Sequence, residues 1–351
     1  MNKLRIFSLM TVLIIAWNVF SQTCVTRVRP VGGDKWGYIN IKGEFIIEAL
    51  FYRCSEFSKE GFATVYNEDK EPYHIINLQG EIMPIEIKDF VLMSVFYVKV
   101  PKGFSNGLVP LRQGKKWGYL NTLGQVAIPI QYDKVTEFNG GFASAEMGGK
   151  FMVLNTEGEE YPVNDASVVD VKSFAENLAP YKSSNGKVGF INETGDIAIP
   201  AQYLAVGYFS GGLAWARAVS DKIGYINTNG EWIIQPRFEV AKSYDAETDR
   251  ARIRLEDKMG FVNRQGEVLY IEAEDVGDFS NGLCWGRMSD KIGFFNKNGE
   301  WVIAPQFEAV RDFKNGYAAA KMNDRWGMID MEGKWVIAPS FEGIMDMDLV
   351  E

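Results

Sequence analysis

Residues 222–238 decide the fold, and they read KIGYINTNGEWIIQPRF. The opening motif recurs as KWGYIN at residues 35–40, KWGYLN at 116–121 and RWGMID at 325–330. Three residues after its last Asn or Asp comes a glycine, in nine copies along the chain: Gly43, Gly80, Gly124, Gly158, Gly195, Gly230, Gly266, Gly299 and Gly333. Self-similarity at a period of about 35 residues indicates a repeat architecture.

Each Asn-x-x-Gly predicts a tight turn between two strands. Glycine supplies the positive φ and Asn the local hydrogen bonds that short hairpins need, and apolar, β-branched runs flank the turn. Prolines that end the second run, where no ladder bond is donated, are Pro129, Pro200, Pro236, Pro305 and Pro339. Aromatic residues follow the turn glycine by eight positions at Phe51, Tyr132, Tyr203, Phe238, Phe307 and Phe341.

A second aromatic and glycine, mostly as Phe-x-x-Gly, precede a strand of alternating small residues such as residues 212–216. Asp-Lys pairs such as 221–222 then lead into the next motif. Each unit is therefore predicted to be a three-stranded β-meander with an aromatic connection, and weak helical periodicity makes the fold all-β. We place the nine units of the single repeat domain, 22–351, at about 25–57, 62–104, 108–138, 142–174, 178–209, 213–244, 250–279, 283–313 and 317–347.

The chain resembles the bacterial WG-repeat (KWG-repeat) proteins. The resemblance rests on the Trp-Gly pairs at 36–37, 117–118 and 326–327 together with the turn glycine, proline and Phe-x-x-Gly columns. Apolar Val188, Ile223, Met259 and Ile292 stand where tryptophan is missing. The family implies an extended β-repeat scaffold with an interaction role, and it implies no reaction, cofactor or agreed ligand.

Neighbouring units must cover one another, because one meander cannot bury its apolar face alone. Nine units give about 27 strands, and open sheets rarely exceed about 10 strands without curling. All nine units are complete, and no unit is split between the two ends to fasten a ring. We therefore expect an open, curved β-solenoid or superhelix, with a closed β-propeller-like ring as the alternative.

The first 21 residues predict export. Lys3 and Arg5 precede an apolar run from Ile6 to Phe20, and Ser21 ends it, as in a cleaved signal peptide. The run is short for a membrane anchor, so we expect no stable span after cleavage. A lipid-modified Cys24 is a less favoured reading. The expected location is the periplasm, the outer surface or the medium.

The net charge of −9 excludes nucleic acid as an expected partner, because phosphate backbones repel an acidic protein. Loss of Lys3 and Arg5 with the signal would make the chain still more acidic. Cys54 and Cys284 occupy apolar columns and are expected to be small buried residues, although a bridge between Cys24 and Cys54 stays open.

A working surface is predicted on the strand that follows Phe-x-x-Gly, because side chains alternate between its two faces. Trp215 and Arg217 share one face, as do Trp285 and Arg287. The same column holds Arg112, Lys182 and Lys321. Such groups are suited to stacking on a sugar or peptide and pairing with a carboxylate. Alternatively, they stack on one another as cation–π pairs.

Catalysis is not expected. His74 is the only histidine, so no Ser-His-Asp, Cys-His or His-based metal site is available. The acidic cluster at Glu272, Glu274 and Asp275 does not identify two carboxyl groups placed across a cleft, as glycoside hydrolysis requires. Such a cluster is typical of a solvated face. The sequence carries no calcium-loop spacing, and we expect no metal and no cofactor.

The leading functional hypothesis is an exported, non-catalytic scaffold that binds a protein or a cell-envelope polysaccharide. A purely structural spacer is a second hypothesis, and a cell-envelope hydrolase is a weaker third. The scaffold requires a ligand-binding surface, the spacer should tolerate deletion of whole units, and the hydrolase should turn over envelope polymers.

Overall fold

The computed structural model describes residues 22–67, 73–94 and 100–351. Within these residues the chain forms nine four-stranded antiparallel sheets and no α-helix. None of their elements is a helix long and apolar enough to span a membrane. The predicted signal segment, residues 1–21, lies outside the described residues.

Eight sheets, numbered here as blades one to eight, each use four consecutive strands. Blade one consists of β4 (Arg53–Cys54), β5 (Phe62–Tyr66), β6 (His74–Asn77) and β7 (Ile82–Met83). Blade two consists of β8 (Phe90–Leu92), β9 (Leu108–Gln113), β10 (Lys116–Asn121) and β11 (Val126–Tyr132). Blade three consists of β12 (Lys134–Val135), β13 (Phe142–Met147), β14 (Lys150–Asn155) and β15 (Glu160–Pro162). Blades four and five consist of β16 (Val168–Val171), β17 (Ala179–Ser183), β18 (Val188–Ile191) and β19 (Ile197–Tyr203); and β20 (Ala205–Val206), β21 (Leu213–Arg217), β22 (Ile223–Asn227) and β23 (Trp232–Phe238).

Blades six to eight follow the same order of strands. They consist of β24 (Val240–Ala241), β25 (Ala251–Leu255), β26 (Lys258–Val262) and β27 (Val268–Leu269); β28 (Asp275–Val276), β29 (Leu283–Met288), β30 (Lys291–Asn296) and β31 (Trp301–Phe307); and β32 (Ala309–Val310), β33 (Tyr317–Met322), β34 (Arg325–Asp330) and β35 (Trp335–Phe341). Blade nine combines the two ends of the chain: β36 (Gly343–Val350), β1 (Thr23–Arg29), β2 (Trp36–Asn40) and β3 (Phe45–Phe51).

The array is a closed nine-bladed β-propeller, so the expected open solenoid is wrong and the alternative ring is correct. The last strand, β36, pairs with β1 in the register Thr23↔Val350 to Arg29↔Gly343. The turn glycine Gly43 of blade nine also packs against Ile337 of blade eight, as equivalent turns do elsewhere in the ring. The ring therefore closes through one blade that both termini share.

The solenoid prediction failed because the aromatic connection contains a strand of its own. The unit was expected to hold three strands, whereas each blade has four, and the added strand is the short segment between the two aromatics. In blade five, for example, β20 follows Tyr203 and pairs with β21. Each unit thus donates its connection to the next blade, and the ninth connection, β36, is left to pair with the first unit.

The Asn-x-x-Gly turns form as predicted. The side-chain oxygen of Asn227 accepts hydrogen bonds from the amides of Asn229 (3.0 Å) and Glu231 (2.9 Å), and its amide group donates to the Glu231 carboxylate at 2.8 Å. Gly230 adopts a φ of 81°. The turn is thus held by bonds to the side-chain oxygen, which Asn and Asp provide best, and by an amide donor that only Asn adds.

The glycine of the Trp-Gly motif is required for a different reason, the close approach of the fourth strand. At Gly224 the ladder between β22 and β23 shifts register, and an added Cβ would lie 2.3 Å from the carbonyl oxygen of Ile234. Blades one and three have short fourth strands, and there His74 and Met152 stand at the corresponding position. The glycine is therefore required where a full-length fourth strand bends over the third strand, which also explains why the lone histidine replaces it.

The second aromatic of each unit joins neighbouring blades. Tyr119 of blade two meets Phe138 of blade three edge to face, with ring centroids 4.8 Å apart, and its hydroxyl donates to the carbonyl of Thr136 at 2.7 Å. Tyr38 of blade nine and Phe57 of blade one repeat the contact at 4.7 Å. Such pairs add about 0.5–1.5 kcal/mol beyond the area they bury, so they help to hold neighbouring blades together.

Asp348 is a buried carboxylate in the closing strand. Its side chain is 2% exposed, and it accepts hydrogen bonds from the backbone amide of Phe57 (3.1 Å) and from the ammonium of Lys314 (3.4 Å). Burial raises the pKa of Asp348 from 3.8 to about 6, and the charges of Arg27 and Lys314 oppose this rise. The folded state therefore binds a proton here more tightly than the unfolded chain does.

The stability of the propeller is expected to depend on pH through Asp348. The stabilisation from its protonation is fully present below about pH 4 and is lost as the pH rises through about 6. Relative to the Asp348→Asn variant, the free energy of unfolding of the wild type should fall by roughly 2–3 kcal/mol between pH 4 and pH 7. Denaturant titrations of both proteins measure this difference, and a difference that is constant with pH would contradict the assignment.

Candidate functional site

The predicted cationic column lies at one ladder position of the second strand in each blade. Arg217 pairs with Ala205 of the first strand, and the same pairing places five of the predicted residues in one column. These residues with their first-strand partners are Arg112 with Val91, Lys182 with Asp170, Arg217 with Ala205, Arg287 with Asp275, and Lys321 with Ala309. The five cations are therefore equivalent around the ring.

The structure adds two arginines to this column. Arg29 pairs with Gly343 in blade nine, and Arg254 pairs with Val240 in blade six. Tyr66 and Glu146 occupy the position in the remaining two blades. Seven of nine blades thus present a cation at the same place on a protein whose net charge is −9.

The column lies toward one end of the ring. Successive antiparallel strands place the hairpin between second and third strands, and the crossover to the next blade, at the same end. We call this end the hairpin face; the Asn-x-x-Gly turns lie on the opposite turn face. Arg217 is the last residue of β21 and pairs with Ile223, the first residue of β22. The cations therefore lie beside the hairpins.

Trp215 and Trp285 lie two residues before the column, each half-buried against its own blade. A Cβ added at Gly207 would lie 2.2 Å from the indole nitrogen of Trp215, and Gly277 has the same relation to Trp285. The intervening blade six carries Arg252 at this ladder position, so the two indoles belong to alternate blades and do not adjoin. Each tryptophan contacts the core and also leaves part of its ring exposed.

The cations of the column differ in how they are neutralised. Arg217 pairs with Asp221 at 2.9 Å and Lys321 pairs with Asp324 at 2.8 Å, both in exposed hairpins where such pairs stabilise little. Arg112 stacks over Trp117 of the same blade, with 5.8 Å between guanidinium and ring. Within the described residues, the members of the column without a carboxylate within 4.0 Å are Arg29, Arg112, Lys182, Arg254 and Arg287.

A groove beside the column separates blades four and five. It has a volume of about 490 Å³; Lys172 and Lys182 line one wall, and Leu204 and Tyr208 line the other. Leu204 and Tyr208 are each 43% exposed. Lys172 pairs with Asp170, which also lines the groove, whereas Lys182 has no carboxylate within 4.0 Å in the described part of the chain. The groove therefore combines one unpaired cation with apolar and aromatic surface, which is the combination predicted for the working surface.

The cysteines and the acidic cluster named in the sequence analysis form no second site in the described residues. Cys24, Cys54 and Cys284 are free thiols, and burial raises the pKa of Cys54 to about 11. Glu274 accepts a hydrogen bond from the backbone amide of Ser289 at 2.9 Å. Among the residues that the structure describes, no three His, Cys, Asp or Glu side chains are grouped so as to hold a metal ion.

Comparison with known families identifies the repeat. The family model described as WG containing repeat matches residues 36–70, 117–151, 189–219, 223–258, 292–326 and 326–348. The matches cover more than half of the sequence, and each of the six begins in the third strand of a blade and continues through its fourth strand into the next blade. The chain is a WG-repeat protein.

The WG-repeat protein also has relatives in fold among solved structures. A crystal structure of the eukaryotic initiation factor is 11% identical, covers 94% of this chain and 98% of its own, and has a TM-score of 0.63. At this identity the likeness concerns the fold alone. The computationally designed Ika8 protein is 12% identical over 80% of this chain and 94% of its own, with a TM-score of 0.45. No curated protein matches the sequence.

Proposed function

We propose that this WG-repeat propeller is an exported, non-catalytic scaffold that binds an acidic protein or an acidic cell-envelope polysaccharide through its hairpin face. The observation that supports the proposal is the cationic column, present in seven of nine blades of an acidic protein. Evenly spaced cations suit a partner that carries repeated negative groups, because several weak charge contacts then act together.

The groove between blades four and five favours a partner with an apolar part. Lys182 and the exposed rings and aliphatic chains of its walls lie within one depression. Binding pockets that are mainly apolar with a few placed polar groups give orientation as well as affinity. We therefore place the strongest contact of the partner at this groove and weaker ionic contacts along the column.

The closed ring also bears on the spacer hypothesis. The two termini pair within blade nine, so added repeats would widen the ring without separating the ends of the chain. A structural spacer gains its reach from length between its ends, and this chain brings its ends together. The scaffold hypothesis is accordingly favoured.

Removal of column cations is expected to weaken capture of the partner. Lys182→Ala combined with Arg287→Ala removes two charges that form no ion pair and should lower binding about tenfold, because two exposed charge contacts together contribute up to about 2 kcal/mol. The measurement is affinity capture from a cell-envelope extract, with the captured component identified and then titrated against each variant.

The matched control removes the same charge from the turn face. Lys42→Ala combined with Lys297→Ala alters two exposed lysines of Asn-x-x-Gly turns and should leave binding unchanged. Equal loss in both double variants would indicate a general effect of charge, and unchanged binding in the column variant would contradict the proposed site.

A further inference from the structure

A separate pocket of about 300 Å³ lies between blades nine and one. Arg27 and Arg29 of β1 face it together with Arg53 of β4. Trp36, Cys54, Val100 and Met345 provide its apolar lining. Three arginines thus line one small and mainly apolar space.

None of these three arginines forms an ion pair with a carboxylate in the described part of the chain. Arg29 stacks over Trp36 at 5.7 Å and Arg53 over Tyr52 at 5.4 Å. The Nε atoms of Arg27 and Arg29 are buried and have no hydrogen-bond partner. A buried donor without a partner costs about 1–3 kcal/mol, so the pocket carries unsatisfied capacity for an acceptor.

An equivalent arginine elsewhere in the ring shows what Arg27 lacks. Arg252 occupies the same ladder position in blade six, and its guanidinium donates to the carbonyl of Val276 at 2.6 Å, as Arg27 donates to the carbonyl of Cys54 at 3.1 Å. Arg252 also binds the carboxylate of Asp278, with its Nε 2.8 Å from the nearer oxygen. Arg252 is therefore neutralised within the protein.

The carboxylate that corresponds to Asp278 belongs to Glu56 of blade one, and it has another partner. Glu56 follows Cys54 by two residues, as Asp278 follows Val276, and its carboxylate binds the ammonium of Lys314 at 3.1 Å. The buried carboxylate of Asp348 accepts its hydrogen bonds from Phe57 and Lys314. Arg27 lies close enough to Asp348 for its charge to lower the pKa of that carboxyl, but it forms no hydrogen bond with it. Arg27 thus keeps the backbone contact of its equivalent without the hydrogen-bonded carboxylate that completes it.

We propose that this pocket binds a phosphate-type oxyanion, either free or as the single charged group of a small ligand. Guanidinium groups bind phosphate and sulfate through paired N–H donors, and three of them favour a dianion over a monovalent carboxylate. A volume of about 300 Å³ is at the lower limit for small-molecule sites, so it suits a small ligand. The anion would supply the negative charge that Asp278 supplies in blade six.

The test uses the mature chain and inorganic phosphate in isothermal titration calorimetry at low ionic strength. The wild type should bind phosphate saturably at one site, sulfate similarly and acetate more weakly. Arg29→Gln combined with Arg53→Gln should weaken phosphate binding at least about tenfold, because charge-assisted bonds to the anion are lost. Phosphate should also raise the melting temperature of the wild type and leave that of the double variant unchanged.

Arg254→Gln is the matched control, because Arg254 has the ladder position of Arg29 in blade six. It should bind phosphate as the wild type does. Absence of saturable binding to the wild type, or equal loss in the control, would overturn the proposal. The pocket shares Arg29 with the cationic column but lies apart from the groove between blades four and five, which Lys182→Ala tests. Absence of phosphate binding therefore leaves capture through that groove unaffected, and failure of that capture leaves phosphate binding unaffected.

Discussion

A chain that ends at Glu342 is expected to lose cooperative folding. The deletion removes β36, in which Ile344, Met347 and Val350 are almost fully buried. Burial of such side chains stabilises by about 1.5–3 kcal/mol each, so the loss is comparable to the whole stability of an ordinary domain. It also exposes the edge of β1, which is then free to pair with other chains. Denaturant unfolding followed by tryptophan fluorescence measures the effect.

Two further samples make this result specific to ring closure. Removal of Glu351 alone should leave the unfolding midpoint unchanged, because this residue is exposed and follows β36. Addition of a peptide of residues 343–351 to the truncated chain should restore the transition, because the peptide can pair with β1 in the same register. A truncated chain as stable as the wild type would show that closure contributes nothing.

Gly224→Ala is expected to destabilise the propeller by about 3 kcal/mol, the upper range for added volume in a packed site. The new methyl group would lie 2.3 Å from the carbonyl oxygen of Ile234 and 2.9 Å from the Trp232 ring. Both neighbours belong to β23, so the fourth strand would have to move and its ladder with β22 would weaken. Urea unfolding at constant pH gives the change in the free energy of unfolding.

Gly260→Ala provides the matched control for this substitution. Gly260 has the same position in blade six, where β27 is short and the nearest atom to an added Cβ is the Leu269 oxygen at 3.0 Å. The expected cost there is about 1 kcal/mol, since the neighbour needs to move only slightly. Equal costs at the two positions would contradict the role assigned to the full-length fourth strand.

The period, strand content and turns of this fold were predictable, because they depend on local chemistry. The side chain of Asn227 bonds amides within four residues of itself, and Gly230 supplies the backbone conformation of the same turn. Ring closure depends instead on a pairing between residues more than 300 positions apart. Because the first strand of most blades has only two to four residues, its alternation was too short to reveal a strand.

The candidate surface was predictable in part for the same reason. Five column cations follow a Phe-x-x-Gly segment or its equivalent, which fixed their register, whereas Arg29 has no such segment before it and Arg254 follows a longer loop. Counting back from the following Asp-Lys turn would have found Arg254. The arginine pocket was beyond prediction, because its lining comes from β1, β2, β4 and β36, which only the closed ring brings together.

A thiol crosslink between β1 and β36 tests ring closure most directly. Cys24 and Leu349 are ladder partners on β1 and β36, with Cβ atoms expected about 5 Å apart, so Leu349→Cys would place a second thiol beside the native one. After treatment with a short bifunctional thiol reagent, we expect a link within one monomer between the first and last peptides of the chain, identified by mass spectrometry. Free thiols, or links formed only between two molecules, would contradict a propeller closed by its own ends.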